Sequence, residues 1–521
     1  MLDVAQVLLY CGVPLLFAVW YLKRQRQSAS QTGTGKLPKL LELGYSNWTG
    51  HIGYVVGKIN AGPGLYMFNL LELIQKAPEP VVALSLFGPL WVANPVYAVN
   101  DPVLINVVTS SSKTTRFASF ESSSQSVMGK KSMSALRGEE LKRHRKLLAS
   151  SILSRKALGR LVELMGNVTD AFLQTLPQPK AGESSFALDL VDGDPIGLML
   201  LDVFSLFGFG TQSTTTPEGL AQREKVKIAM NFIFDVFADR MSAAGLAKYI
   251  SYLNISKSRQ LANHNKFIRQ EIIIPAIRRR QSDINEGVEV PNDALTVMLE
   301  AGDDDSPAFT EEEICDEALL IMVASYETTA NTILWLFYHL AMHPECQQRC
   351  YEEVCQVMSS HPPGTQPSIT DIDQMTYLNA TLQESNRLRP IAQAITRETV
   401  EDLAVGDYVI PKGNTVMCYF QGSALSEEVF TDAKKFIPQR WLNDPNGGAK
   451  KPGTHSLPFG NGPFRCFGKA MAVQAIHTLF SQWIQRYRFE MITEDVKPRI
   501  RLAYYPSELT IRMFPRQQEG Q

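Results

Sequence analysis

One cysteine of this chain stands where a thiolate has uses. Cys466 lies in the stretch Pro458-Phe459-Gly460-Asn461-Gly462-Pro463-Phe464-Arg465-Cys466-Phe467-Gly468, where glycines, prolines and phenylalanines crowd a single thiol. Directly after it Met471, Ala475, Leu479 and Trp483 recur at helical spacing, so Lys469 to Arg486 reads as a helix. A thiol at such a loop-to-helix junction faces unpaired N–H groups and the positive end of the helix dipole. Both favour the thiolate and predict a lowered pKa. The glycines let the backbone approach a large flat ligand and turn N–H groups toward the sulfur. A second candidate is Ala324-Ser325-Tyr326-Glu327-Thr328-Thr329, in the middle of a long apolar run. A buried helix rarely spends an acid and two threonines in mid-run. Glu327 and Thr328 are adjacent proton carriers, and Thr328 can bond back to the Ala324 carbonyl and open the helix there.

These stretches need elements to hold them. Thr310 to Leu340 reads as the longest helix, started by a Thr310–Glu313 capping box. His343-Pro344 ends it and starts the next helix, which runs to Met358. Met375 to Leu388 reads as a helix with Glu384 and Arg387 on one face. Gly64 to Lys76, Gly138 to Ser150, Gln222 to Met241 and Arg259 to Arg280 read as further helices, and Asp101 caps a short one beginning at Pro102. Strand character is confined to short runs: Val81 to Phe87, Leu90 to Asn94 continuing to Val99, Pro390 to Met417, and Arg499 to Phe514. Phe117 to Ser134 is rich in serine with weak periodicity and reads as a mobile loop. The expected fold class is mainly α with small β-sheets.

In order and spacing these motifs resemble the cytochrome P450 family. Its ligand loop, F-x-x-G-x-R-x-C-x-G, is met by Phe459, Gly462, Cys466 and Gly468; Phe464 holds the arginine mark, and Arg465 stands one residue later. The helix pattern A-G-x-[DE]-T-T is met by Ala324, Glu327, Thr328 and Thr329, with Ser325 for the glycine. Glu384 with Arg387 and Phe436-Ile437-Pro438-Gln439-Arg440-Trp441 match two more patterns, and Arg145 keeps the arginine of W-x-x-x-R while Leu141 replaces its tryptophan.

The resemblance, which covers roughly Val81 to Phe514, implies a cytochrome P450 fold with heme b as cofactor and Cys466 as axial ligand of the iron. It implies Arg145 and Arg397 as propionate partners, Arg465 as a partial substitute for the missing arginine, and Phe459 and Gly462 as parts of the cofactor loop. Glu327 and Thr328 become the catalytic pair, moving protons on a turn opened for dioxygen. Glu384, Arg387 and Arg440 would form a buried ion network bracing the loop. Residues 117–134 would cover the substrate pocket, with Ile391, Ala392, Ala394, Ile395, Ala503 and Tyr504 lining it.

Composition bounds the rest. With 45% hydrophobic and 20% charged residues the chain has the makings of a large core, and its net charge of −2 gives no nucleic-acid footprint. The seven cysteines include no C-x-x-C pair, and Cys346, Cys350 and Cys355 on one helical run read as reduced thiols. Val4 to Leu22 is uncharged and almost wholly apolar, long enough to span a bilayer, and Lys23, Arg24 and Arg26 follow as a positive-inside stop. The run lacks the basic n-region and cleavage site of a signal peptide. The expected layout is an anchor with basic stop over 1–26, a linker over 27–45 and one heme-thiolate monooxygenase domain over 46–521. That places a single-pass protein in the endoplasmic reticulum membrane with its body in the cytosol, and leaves the sequons at Asn47, Asn167, Asn254 and Asn379 unused. The apolar link Leu246 to Leu253 reads equally as membrane contact or packed core.

The activity implied by the resemblance is insertion of one atom of dioxygen into a lipophilic small molecule. Only 55 residues follow Cys466 (521 − 466), too few for a flavin domain, and no G-x-G-x-x-G lies between a strand and a helix. Electrons are therefore expected from a separate NADPH-dependent flavin reductase, docked on Lys142, Arg143, Lys146 and Lys469. Two rivals are a heme-thiolate isomerase or dehydratase acting on peroxides without a reductase, and a non-catalytic heme-binding protein. The acid–threonine pair argues against both.

Overall fold

The longest helix is fixed at its start by its own side chains. The Thr310 hydroxyl accepts the Glu313 N–H at 3.2 Å, and the Glu313 carboxylate accepts the Thr310 N–H at 2.8 Å. Both orphan donors are thereby satisfied, and three glutamates sit in the first turn, where the helix dipole favours them. The computed structural model describes residues 36–41, 74–77, 79–84, 95–210, 217–242, 254–300, 308–362, 364–450, 457–501 and 503–516. The expected anchor Val4–Leu22, most of the helix Gly64–Lys76, the strand run Leu90–Asn94 and the link Leu246–Leu253 lie outside these residues.

Ten helices carry the argument: α1 Pro102–Ser110, α2 Ala118–Val127, α3 Gly138–Ile152, α4 Arg155–Thr175, α5 Pro195–Phe209, α6 Pro217–Ser242, α7 Glu311–Met342, α8 Pro344–Met358, α9 Thr376–Leu388 and α10 Lys469–Arg486. The long helix α7 packs most extensively on α5, and α10 on α4. Between them Phe337 of α7 meets Phe480 and Trp483 of α10 at ring-centroid distances of 4.5 and 4.7 Å, and Phe489 at 5.2 Å. All four rings are fully buried. Truncating one such ring to alanine costs about 3–5 kcal/mol, because the neighbours close the hole only in part. Among the described residues α7 is the one helix long and apolar enough to cross a membrane, and its most apolar window is 72% buried in the protein.

The strands are short. One five-stranded sheet has the order β1-β2-β8-β5-β3, formed by Val81–Leu84, Val96–Val99, Thr415–Tyr419, Ala394–Thr399 and Thr114–Arg116. Among the described strand pairs of this sheet β2–β8 alone is parallel. A three-stranded sheet joins β4 (Phe186–Asp189), β12 (Thr510–Pro515) and β9 (Tyr487–Met491). Two strand pairs remain, β6–β7 (Leu403–Val405 with Tyr408–Ile410, turning at Gly406, φ +60°) and β10–β11 (Pro498–Ile500 with Tyr504–Pro506).

Four local expectations are corrected. The serine-rich segment holds a helix, α2, in place of a loop. Its Ser122 and Ser126 hydroxyls bond back to carbonyls three residues earlier, and Phe120 packs edge-on against Phe237 of α6 at 5.6 Å. Tertiary packing here overrides weak helix propensity. Next, the run expected as one helix over Arg259–Arg280 is broken by a π-helical turn, Ile268–Ile273, ahead of Pro275. A proline ring collides with the carbonyl four residues back, here that of Glu271, whose oxygen accepts from the Gln222 side chain at 3.5 Å. Third, α7 stays α-helical through Ala324–Thr329 and does not open. Thr328 does donate to the Ala324 carbonyl, at 2.6 Å, with parallel bonds from Ser325 to Ile321 at 2.7 Å and Thr332 to Thr328 at 2.9 Å. A carbonyl has two lone pairs, so each hydroxyl is added to the ladder without displacing it. Last, Tyr504 turns into the core behind α7: it stacks on Trp335 at 5.2 Å, and its hydroxyl accepts from Arg389 at 2.7 Å.

Candidate active site

The cysteine loop is shaped by backbone that only glycine adopts freely. Gly460 and Gly462 have φ of +69° and +68°, and a Cβ on Gly462 would lie 2.1 Å from the Thr109 carbonyl oxygen of α1. Asn461 donates to Asn106 of the same helix at 2.8 Å, so the loop is pinned to α1. The Cys466 N–H donates to the Phe459 carbonyl at 2.7 Å, which closes the loop across Phe464 and Arg465. Phe459 lies under Lys469, 5.7 Å from the ring centroid.

Cys466 is the one exposed cysteine among the described residues; the others are buried or half-buried. The thiol is not depressed as the sequence led us to expect. Crowding by protein pushes its pKa up, while the Gly468 N–H, Arg145 and Lys469 pull the other way. The helix end acts as anticipated, but desolvation of the thiol by the protein around it outweighs it.

Around this loop stand three guanidinium groups, of which Arg145 acts on the thiol itself. Arg116 of β3 and Arg397 of β5 are directly opposite each other across the strand pair, so both side chains leave the same face of the sheet. Like charges so placed repel. The ring of Phe464 lies against both, 4.9 Å from Arg116 and 5.3 Å from Arg397. Arg145 of α3 reaches the Arg465 carbonyl at 3.4 Å and lies over Phe467 at 5.1 Å. Among the described residues none of the three pairs with a carboxylate. Arg116 donates to the carbonyls of Met133, Ser134 and Leu136, and the Nε of Arg397 is buried without a partner. Burial, then the neighbouring Arg145, pushes the Arg116 pKa down to about 10; burial also lowers Arg145 and Arg397. Arg465 itself is exposed, and its guanidinium makes no hydrogen bond among the described residues.

On α7 the buried run is interrupted at Ala324, which is exposed in mid-helix, with Ser325 and Thr328 half-buried beside it. Glu327 points elsewhere. It is 7% exposed and takes the Nε of Arg501 at 3.4 Å, while its second oxygen is buried without a partner. Burial pushes its pKa up to about 7, opposed by Arg501.

The expected ion network is present, with Glu384 and Arg387 fully buried at its centre. Glu384 takes two bonds from Arg387 at 2.8 and 2.7 Å, one from Arg440 at 3.1 Å, one from the Trp441 indole at 2.8 Å and the Ile437 N–H at 3.0 Å. Arg387 also donates to the Ala424 and Ala433 carbonyls, both at 2.6 Å. The basic face expected on α3 loses one member: Arg143 is half-buried and bonded to Glu313 of α7.

A family model described as Cytochrome P450 matches residues 65–507. The chain belongs to the cytochrome P450 family. It is 27% identical over 386 residues (74% of this chain, 71% of the relative) to 7,8-epoxymelianol synthase CYP88A154 of Ailanthus altissima. It is 26% identical over 425 residues (80% and 81%) to cytochrome P450 3A12 of Canis lupus familiaris. To the mitochondrial 1,25-dihydroxyvitamin D(3) 24-hydroxylase of Mus musculus it is 34% identical over 211 residues, 40% of each chain. A crystal structure of the cytochrome P450DA heme domain superposes with a TM-score of 0.73 over 92% of this chain and 98% of that one, at 19% identity, which shows the fold alone. This P450 is therefore a heme-thiolate monooxygenase with the mostly helical fold expected.

The residues present suit a heme. An exposed thiol backed by a Gly468 N–H would offer the iron a sulfur. Three carboxylate-free guanidiniums at its side ask for an anion, and the heme edge carries two carboxylates. Arg116 and Arg501 were not singled out from the sequence. For Arg116 no signal existed, since it meets Arg397 only through strand register. For Arg501 none did either, since its partners Glu327 and Asp235 lie 174 and 266 residues away.

Proposed function

We propose that this P450 oxidises a lipophilic small molecule in a membrane setting, with electrons delivered by a separate NADPH-dependent flavin reductase. The observation that carries the reading is the juxtaposition of the exposed Cys466 thiol with the carboxylate-free set Arg116, Arg145 and Arg397. In this reading Cys466 is the axial ligand. Arg145 and Arg397, joined by Arg116, hold the heme carboxylates, and Phe459 and Gly462 shape the loop. Arg465 faces solvent, where it serves a partner better than it serves the heme. When bound, the heme supplies activation of dioxygen and insertion of one oxygen atom into the substrate.

The chain supplies protons and exclusion of water. Thr328 lies half-buried beside the exposed Ala324, so its hydroxyl is placed to pass a proton into the space over that turn. In this reading Glu327, whose carboxyl turns toward Arg501, reloads it through intervening water. The half-buried Ile391, Ala392, Ala394 and Ile395 offer an apolar lining that suits a lipophilic guest. Residues 1–26 form the membrane anchor with its basic stop, 27–45 the linker and 46–521 the catalytic domain, held at the endoplasmic reticulum with its body in the cytosol. Lys142, Lys146, Arg465 and Lys469 form the reductase face.

Turnover of a lipophilic substrate panel, with NADPH and a microsomal reductase, tests the reading. Product that depends on both supports it. Product from an organic peroxide alone, unchanged by reductase, would favour the isomerase class.

A further inference from the structure

Arg501 occupies the turn between β10 and β11 and divides its guanidinium between two helices. Its Nε goes to Glu327 of α7 at 3.4 Å; Nη1 goes to Asp235 of α6 at 3.0 Å and Nη2 to Asn231 at 3.4 Å. The Phe234 ring lies 5.9 Å from it. The side chain of Asp235 is 52% exposed and that of Glu327 8%, so one cation links a surface acid to an interior one. We propose that Arg501 is a positioning residue for Glu327, and that its division between Glu327 and Asp235 sets how firmly Glu327 holds its proton. The inference rests on the reading of Glu327 as part of the proton route.

The charges around Glu327 are few and can be named. Arg501 comes from the turn and Asp235 from α6. Asp194, the N-cap of α5, is bonded to the Tyr326 hydroxyl beside Glu327, and Lys227 of α6 donates to the Gly193 carbonyl next to Asp194. Burial drives Glu327 toward the neutral acid, Arg501 opposes it, and Asp235 and Asp194 reinforce burial. The carboxyl is thereby brought to about 7, where it both takes up and gives up protons near neutrality. Asp235 acts twice. Its own charge raises Glu327, and it draws Arg501 off: the bond at Asp235 is 3.0 Å, against 3.4 Å at Glu327.

Two substitutions should therefore move Glu327 in opposite directions. Arg501→Gln removes the cation, and the midpoint should rise by about one unit or more. Asp235→Asn removes a negative charge and frees Arg501 for Glu327, so the midpoint should fall. About half a unit is expected, because Asp235 is half in solvent and screened. General loss of structure does not give shifts of opposite sign. The measurement is the infrared C=O band of a protonated buried carboxyl, titrated with pH and assigned by its loss in Glu327→Gln; it reads protonation without turnover. The pH profile of substrate oxidation is recorded beside it. A proton held by Glu327 is lost as pH rises through its midpoint, so the alkaline limb should move up in Arg501→Gln and down in Asp235→Asn. Shifts of the same sign, or none, in the infrared midpoints overturn the inference. An alkaline limb that persists in Glu327→Gln, with infrared shifts as expected, overturns instead the role of Glu327 in the reaction.

Discussion

Replacing Glu384 by glutamine tests how the cysteine loop's foundation is held. The carboxylate and Arg387 both have side chains at 0% exposure, and the carboxylate receives five hydrogen bonds, from Arg387 (two), Arg440, Trp441 and Ile437. Glutamine keeps the shape but removes the charge, and its amide NH₂ faces a donor where an oxygen had accepted. Arg387 is then a buried cation without a counter-charge, a situation that costs about 3–5 kcal/mol. Unfolding entropy is about 2.1 cal/mol/K per residue, which over a domain of this size is roughly 1 kcal/mol/K, so the thermal midpoint should fall by about 3–5 °C. Differential scanning calorimetry at neutral pH, with heme retention followed by absorbance, is the assay. Replacing Glu384 and Arg387 together by leucine and methionine should cost less than Glu384→Gln, since the fully buried cation goes with its partner and only Arg440 loses its carboxylate. A Glu384→Gln midpoint within 1 °C of the parent would refute the reasoning. Acid should act in the same direction. Burial pushes the Glu384 carboxyl up, but Arg387, the Ile437 N–H and the Trp441 indole outweigh it and hold the pKa below the ordinary range. A carboxyl so depressed contributes stability that is present above its unfolded value, about 4.3, and lost as pH falls through the folded one. The parent should lose this contribution below about pH 4, and Glu384→Gln should lack that part of the acid transition.

Thr328→Ala removes the hydroxyl bonded to Ala324 but keeps a helix former, so the fold and heme binding should survive. Product per NADPH should drop severalfold while NADPH consumption continues and hydrogen peroxide rises; unchanged product yield per NADPH would remove Thr328 from the proton route. Arg145→Ala should weaken heme retention on gel filtration more than Arg465→Ala, because Arg145 lies in the carboxylate-free cluster and Arg465 is exposed. Equal losses would mean that both arginines hold the cofactor. Deleting residues 1–26 should leave a heme-loaded body that no longer sediments with membranes, and loss of all heme would place that segment in the core.

The sequence was most informative where local chemistry decides the structure. The Thr310–Glu313 box, Pro102 after its Asp101 cap and the helix Lys469–Arg486 depend on neighbouring residues and appear as read. The Glu384–Arg387 pair was legible because both groups share one helix face. Where two influences compete, the sequence misled. Helix propensity and packing disagree in α2, and dipole and burial disagree at Cys466. The partners of Glu327 were hidden altogether, since only the folded chain brings the turn at Arg501 beside α6 and α7. The same holds for Arg116, whose position opposite Arg397 is a matter of strand register.

The account stands on Cys466 as the sulfur that binds the heme iron. The most direct measurement is the absorption spectrum of the dithionite-reduced, carbon monoxide-treated protein, compared with that of Cys466→Ser prepared in the same way. The parent should show the red-shifted Soret band that marks thiolate ligation. Cys466→Ser should lose that band whether or not it still carries heme, since no other exposed cysteine is available among the described residues. A Cys466→Ser protein that keeps the red-shifted band would contradict the account.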